Sequence, residues 1–242
     1  MMKLYRKSEI TFAILWIAAY VVLSSIADQL SRDIGIIKSV TAVLHLAMSL
    51  FLFVWIRKNG LSIKYGLCSS ALPAKEFLYY MPLAVIASAS LWGGTELKLG
   101  AAGSVCYIIS MCCVGFLEEV IFRGLLFRAM EKDNLKSAMI VSAVTFGLGH
   151  FVNLVNGISQ DFISTAVQVV FAVLVGFVLV FIFYHGGSLI PCILFHAANN
   201  ALGVFEAESA MDPRVNIALN LALMIVVLGG YLLYLVRKFA KR

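Results

Sequence analysis

Eight stretches of the chain run for 18 residues or more without a single Asp, Glu, Lys or Arg: residues 10–27, 39–56, 77–95, 99–117, 137–160, 162–184, 186–205 and 215–236. A membrane helix needs about 20 apolar residues, so each is long enough to cross a bilayer. Hydrocarbon offers the backbone no hydrogen-bond partner, which leaves helices and closed barrels as the only spanning forms, and the stretches lack the apolar/polar alternation of barrel strands. Composition points the same way. Of 242 residues, 62% are hydrophobic and 13% charged, against about 45–50% and roughly 25% in soluble domains. These figures exclude an ordinary soluble domain and a disordered chain alike. The expected fold is all-α: a polytopic membrane protein of about eight transmembrane helices in one bundle, with residues 1–242 forming a single domain without repeats or linkers. Pro73, Pro82, Pro191 and Pro213 fall mostly near helix starts, where proline is tolerated.

The formal net charge of +6 does not indicate nucleic acid here, because on a membrane protein an excess of Lys and Arg reports orientation. With the N-terminus inside, the cytoplasmic segments hold Lys3, Arg6 and Lys7, then Arg57, Lys58, Lys64 and Lys75, then Arg123, Arg128, Lys132 and Lys136, then Arg237, Lys238, Lys241 and Arg242. Only Arg32, Lys38, Lys98 and Arg214 fall on the other side. Both termini are therefore expected in the cytoplasm, and the protein in the cell membrane as a multi-pass chain. Ser25-Ile26-Ala27 resembles a signal-peptidase site, but the apolar run before it is longer than the usual 7 to 15 residues, which favours a retained span. The five cysteines (Cys68, Cys106, Cys112, Cys113, Cys192) lie in or beside apolar stretches and read as small packing residues, with the vicinal Cys112-Cys113 pair the one candidate for thiol chemistry.

Glu118 and Glu119 sit side by side within the apolar run Phe116-Leu117-Glu118-Glu119-Val120-Ile121-Phe122-Arg123. Two carboxylates in a span cost about 2.5 to 3.5 kcal/mol each on insertion scales, so they are expected to face protein or water and to act there. The alternative is that they mark a helix end at the interface. Glu119 and Arg123 are four apart with the acid first, the favourable order for a helical ion pair. Glu118 is turned by about 100° and lacks that partner. Glu118 is thus the expected base, and Glu119 and Arg123 its support.

Two of the four histidines keep company with these groups. Phe146-Gly147-Leu148-Gly149-His150 puts Phe146 and His150 on one helical face, with glycines that admit a second helix. His196-Ala197-Ala198-Asn199-Asn200 spaces His196 and Asn200 by one turn. Glu118 and His150 are equidistant in sequence from the polar turn near Asp133 and Asn134, and His196 is nine residues from the turn at Gly187. All three should lie at one depth, in the cytoplasmic half of the bilayer. His45 and His185 lack such company and read as a packing and an interfacial residue. A carboxylate, two imidazoles and an amide at one depth can activate water and stabilise the oxyanion formed on a peptide carbonyl. Glu118 would take the proton, His150 orient the water, and His196 and Asn200 donate to the tetrahedral oxygen.

Glu118-Glu119 with Arg123, Phe146 with His150, and His196 with Asn200, in this order on successive helices, resemble the CPBP family of intramembrane proteases, also called Abi or CAAX-protease-like. The resemblance covers the motif-bearing core, about residues 99–205. It implies an eight-helix, metal-independent glutamate-type endopeptidase with no cofactor, acting on a membrane-embedded protein or peptide. Bacterial relatives of this kind are linked to peptide-signal maturation or bacteriocin self-immunity, and the short basic loops of this chain look bacterial. Substrate, pathway and oligomeric state are left open. So is a zinc reading, in which His150, His196 and a carboxylate would form a ligand set at the expense of the oxyanion donor. A non-catalytic scaffold binding a partner helix and a proton-coupled transporter are the other classes compatible with buried Glu and His.

Overall fold

A computed structural model describes residues 1–72, 80–155, 162–207, 215, 218, 221–222 and 224–240. Pro73, Lys75, Pro213, Arg214, Lys241 and Arg242 lie outside the described residues, as do parts of the third, fifth and eighth apolar stretches. The fold is all-helical. In chain order it comprises α1 (Met2–Lys7), α2 (Glu9–Ile34), α3 (Ser39–Lys58), α4 (Met81–Ala87), α5 (Ala101–Glu118), α6 (Arg128–Met130), α7 (Leu135–Leu148), α8 (Phe151–Val155), α9 (Phe162–Gly186), α10 (Ile190–Leu202) and α11 (Gly230–Ala240). A π-helical segment, Glu119–Phe127, joins α5 to α6 without interruption.

Among the described residues, four helices are long and apolar enough to cross a membrane: Glu9–Ile34, Ser39–Lys58, Ala101–Met130 and Phe162–Gly186. Three further apolar stretches form shorter helices, Met81–Leu91, Leu135–Leu148 and Ile190–Phe205. The outward faces of α2 and α3 expose Ile14, Leu15, Val22, Ile26, Val43, Leu50 and Phe51, the surface expected of helices whose solvent is lipid rather than water. Pro82 and Pro191 occupy the first turns of α4 and α10, where a missing amide hydrogen costs nothing.

One feature departs from the sequence expectation, and one alternative to it falls. The fifth stretch is not one helix: α7 stops at Leu148, and Gly149 and His150 form a turn before α8. Gly147 and Gly149 each disfavour helix by about 1 kcal/mol relative to alanine, enough to let the chain leave the helix where packing asks for it. The carboxylate pair, in turn, does not mark a helix end. The helix continues beyond the pair for another eleven residues, to Met130. Arg123 accordingly leaves the set of loop charges, since it is wholly buried within this helix.

The long helix Ala101–Met130 is the axis of the bundle. Helices α3 and α10 pack along α5, while α2 and α7 pack on the π-helical segment, all nine residues of which are buried. The close approach of α5 and α10 depends on one position: a Cβ on Gly115 would lie 2.5 Å from the Ala197 backbone nitrogen and 2.8 Å from its Cα. Helices α7 and α9 interlock in the same way, with Gly147 against Val173 and Gly176 against Ala143. Small residues at such crossings let membrane helices pack where no hydrophobic drive separates protein from solvent. Gly149, by contrast, faces only the carbonyls of its own turn, so just one of the two glycines serves the packing expected of both.

Polar contacts tie the two ends. At one, Lys64 reaches Glu9 Oε1 at 2.6 Å and the Tyr5 hydroxyl at 2.7 Å, and Lys132 lies 3.5 Å from Glu9 Oε2. Burial works to lower the Lys64 ammonium, but the hydrogen bonds to Glu9 and Tyr5 outweigh it and hold the group above the ordinary lysine value. At the other end, Asp28 on α2 accepts from Lys38 Nζ and from Thr41 on α3. Asn134 caps α7 by accepting from the Ser137 amide at 2.8 Å, which places the hairpin turn where the polar residues Asp133 and Asn134 call for it.

Replacing Gly115 by alanine is expected to destabilise the protein by about 1–3 kcal/mol, because the new methyl meets backbone rather than a mobile side chain. Gly103→Ala on the same helix meets only an ordinary contact at 3.6 Å and should be neutral or slightly stabilising. Thermal unfolding of both variants in detergent micelles measures the difference.

Candidate functional site

The crossing of α5 and α10 at Gly115 brings the end of α5 against His196. Glu119 is fully buried, and its Oε1 accepts from Arg123 Nη1 at 2.9 Å, the i,i+4 pair that the sequence spacing calls for. The same oxygen lies 2.9 Å from His196 Nδ1. Glu118 turns its Oε2 toward the other nitrogen of that ring, with Nε2 at 3.4 Å, beyond ordinary hydrogen-bond length. One imidazole therefore sits between two neighbouring carboxylates. An ionised Glu119 has only acceptors to offer, so the hydrogen on Nδ1 belongs to His196, and Nε2 is left facing Glu118.

Phe146 organises the rest. Its ring carries the Arg123 guanidinium on one face, 4.1 Å from the centroid, a contact worth about 2 kcal/mol when desolvated. His150 and His196 stand edge-on to the same ring, at centroid distances of 5.7 and 5.5 Å, and Phe122 packs against it at 5.5 Å. His150 emerges from the turn after α7 rather than from a helix face, and it lies within electrostatic reach of Glu118 and His196. Asn200 follows His196 by one turn on α10, where its Oδ1 accepts from Asn199 Nδ2 at 3.2 Å, which leaves Nδ2 as the donor side of the amide. The structure thus gathers Glu118, Glu119, Arg123, Phe146, His150 and His196 into one cluster, while Asn200 lies one turn beyond His196 on α10 and bonds to Asn199.

The π-helical path of Glu119–Phe127 disturbs the usual backbone pairing, and α7 compensates: the buried Ser142 hydroxyl donates to the Phe122 carbonyl at 2.9 Å. Single π-type turns inside helices recur at functional sites because they re-aim side chains. Within the sealed cluster, Glu119 Oε2 and Arg123 Nε and Nη2 have no hydrogen-bond partner among the described residues.

Sequence reasoning missed Tyr20. Its hydroxyl, on α2, donates to Glu118 Oε1 at 2.7 Å across 98 residues of chain. Nothing local separates this tyrosine from the other eight in the chain. His45 is more than inert packing, since its Nε2 lies 2.9 Å from Ser24 Oγ and its Nδ1 3.0 Å from Ser110 Oγ, linking α2, α3 and α5. His185, at the end of α9, stacks on Phe239 of α11 at 3.7 Å. The cysteines are free thiols, with Cys192 buried and Cys112 exposed. Among the described residues, no group of three or more His, Cys, Asp and Glu is arranged to hold a metal ion. An apolar cavity of about 500 Å³ lies between α4 and α10, lined by Leu83, Ala84, Ile190, Leu194, Phe195 and Ala198 among others.

The fold and site define a helical membrane protein with a buried carboxylate–imidazole centre. Residues 100–202 match the family model of Rce1-like proteins, described as type II CAAX prenyl endopeptidase Rce1-like. The match spans a little under half of the chain and contains every clustered residue except Tyr20. It agrees with the CPBP/CAAX-protease-like resemblance read from the motifs, and the family is one of proteases. Together with the four membrane-span-like helices it indicates a membrane protein. No curated protein and no solved structure matches the chain.

Removing one partner of a fully buried ion pair leaves a charge without compensation. Arg123→Met should therefore destabilise by about 3–5 kcal/mol, and combining it with Glu119→Gln should recover part of the loss. Chemical unfolding of the single and double variants in micelles tests this.

Proposed function

We propose that this chain is an intramembrane endopeptidase in which Glu118 activates a water for attack on a peptide carbonyl of a membrane-associated protein or peptide. The observation that carries the reading is the His196 imidazole set between Glu118 and Glu119, with His150 on the same phenylalanine ring. Glu118 accepts a proton from water held by His150, the water oxygen bonds to the carbonyl carbon, and the carbonyl oxygen becomes an oxyanion. His196 and Asn200 donate to that oxygen, an interaction worth about 3 to 4 kcal/mol per donor in acyl-transfer enzymes. Collapse breaks the C–N bond, and the proton held by Glu118 passes to the departing amine.

Because Nδ1 of His196 is engaged by Glu119, Nε2 can donate only when the ring carries both hydrogens. Glu119, Arg123 and Phe146 are the supporting residues that hold His196 in place. The proposed chemistry uses no metal, since a cation on His150 and His196 would occupy the oxyanion donor.

In the proposed membrane setting the chain crosses eight times with both termini in the cytoplasm, as the Lys/Arg distribution favours. The site opens in the cytoplasmic half, and the apolar cavity beside α10 suits an apolar segment approaching from lipid. Short basic loops fit a bacterial chain, for which peptide-signal maturation or bacteriocin self-immunity are the roles that the resemblance implies.

Comparative membrane proteomics of cells carrying the native chain, a deletion or Glu118→Gln tests the reading. The deletion and the point variant should lose the same cleaved terminus at matched expression, and a Glu118→Gln strain that keeps that terminus sinks the assignment. Cleavage of the substrate so identified should also persist after exhaustive treatment with EDTA and phenanthroline, with bound zinc quantified. Activity lost to chelator and restored by zinc would move His150 and His196 into a metal site instead.

A further inference from the structure

The two oxygens of Glu118 have different neighbours. Oε1 accepts from the Tyr20 hydroxyl at 2.7 Å, the length of a charge-assisted O–H···O bond. Oε2 faces His196 Nε2. Tyr20 is buried, and its own ring is braced: the His45 ring packs against it at a centroid distance of 5.6 Å. His45 is pinned through both nitrogens, by Ser24 of α2 and Ser110 of α5. A chain of contacts from Ser24, Ser110 and His45 through the Tyr20 ring therefore ends on one carboxylate oxygen, which within that chain the Tyr20 hydroxyl alone touches.

A hydroxyl donor does two things to a carboxylate. It favours the ionised form, and it occupies a lone pair on the oxygen that it touches. We propose that Tyr20 is a positioning residue that fixes the plane of Glu118, so that Oε2, on the His196 side, is the oxygen that takes the proton of the attacking water. His45, Ser24 and Ser110 hold Tyr20 for this purpose. The proposal rests on the reading of Glu118 as the base, but the bond between Tyr20 and Glu118 can be tested without turnover. The charged and titratable groups around Glu118 are Tyr20 from α2, His45 from α3, Glu119 and Arg123 from its own helix, His150 after α7 and His196 from α10. Of these, only Tyr20 changes in the test.

The experiment follows the protonated-carboxyl band of Glu118 by isotope-edited infrared spectroscopy of the full chain in lipid nanodiscs, over a pH titration. Glu118→Gln supplies the blank that identifies the band. In Tyr20→Phe the charged form loses a donor, so the titration midpoint should rise by about one to two pH units. A ring-fluorinated tyrosine at position 20 is a stronger donor of the same shape and should lower the midpoint, an opposite sign that a purely structural role would not produce. It also keeps the test open where Tyr20→Phe folds poorly. With the substrate named by proteomics, the acid limb of kcat/KM should move with the infrared midpoint. A midpoint that stays or falls in Tyr20→Phe, or fails to fall in the fluorinated protein, overturns the proposal whether or not the chain cleaves. Midpoints that move as expected in a chain that never cleaves uphold the hold of Tyr20 on Glu118 and defeat the hydrolytic reading instead.

Discussion

The ion pair of Glu119 and Arg123, both wholly buried, is the constraint around which the molecule is arranged. Taking two charges out of water costs several kcal/mol per ion even after relaxation, and their attraction repays it only when the geometry is good and further donors and acceptors are satisfied. The surroundings meet part of that demand, leaving Glu119 Oε2 and Arg123 Nε and Nη2 without a hydrogen-bond partner among the described residues. Arg123 lies over the face of Phe146, and Glu119 takes a second donor from His196. The pair cannot be read as a device for stability alone, because apolar residues of similar volume would fill the same space at lower cost. What it provides is a fixed imidazole, held by one nitrogen so that the other is aimed at Glu118.

That arrangement depends on backbones being close. Gly115 lets α10 lie against α5 where any side chain would collide with Ala197, and so brings His196 within reach of two residues one turn away. Gly147 and Gly176 do the same for α7 and α9, which sets Phe146 over Arg123. The π-helical turn within the long central helix carries a backbone irregularity that is tolerated because Ser142 accepts the task of pairing the Phe122 carbonyl. Polar atoms within hydrocarbon must find partners inside the protein, and this serine is one solution. The break after Leu148 is another local concession, releasing His150 from a helix face so that its ring can meet Phe146 edge-on.

Much of the fold was legible because its signals are local. Uncharged runs at positions 10–27, 39–56, 99–117 and 162–184 became long helices, since hydrophobic length and backbone hydrogen bonding are satisfied within one segment. The short helices Met81–Leu91 and Ile190–Phe205 show where length in sequence overstates length in helix. A run can be apolar because it is buried among helices as well as because it spans. Arg123 illustrates the same ambiguity from the charged side. Counted by sequence it is a loop charge, whereas in the fold its charge is spent on Glu119.

By itself the sequence determined that the chain is helical and lipid-facing, that Glu119 and Arg123 pair, and that Phe146 and His150 belong together. The first two follow from composition and from a four-residue separation within one continuous helix, where geometry leaves little choice, whereas the Phe146–His150 contact is met by a turn after Leu148 rather than by the helix face that the spacing suggested. Only the tertiary structure decided that one imidazole serves both carboxylates and that a tyrosine from α2 holds Glu118. Those contacts join residues 77 and 98 positions apart. At such separations the partner is chosen by which helix faces pack together, and that choice is made by the fit of small residues at the crossings, which no local spacing encodes.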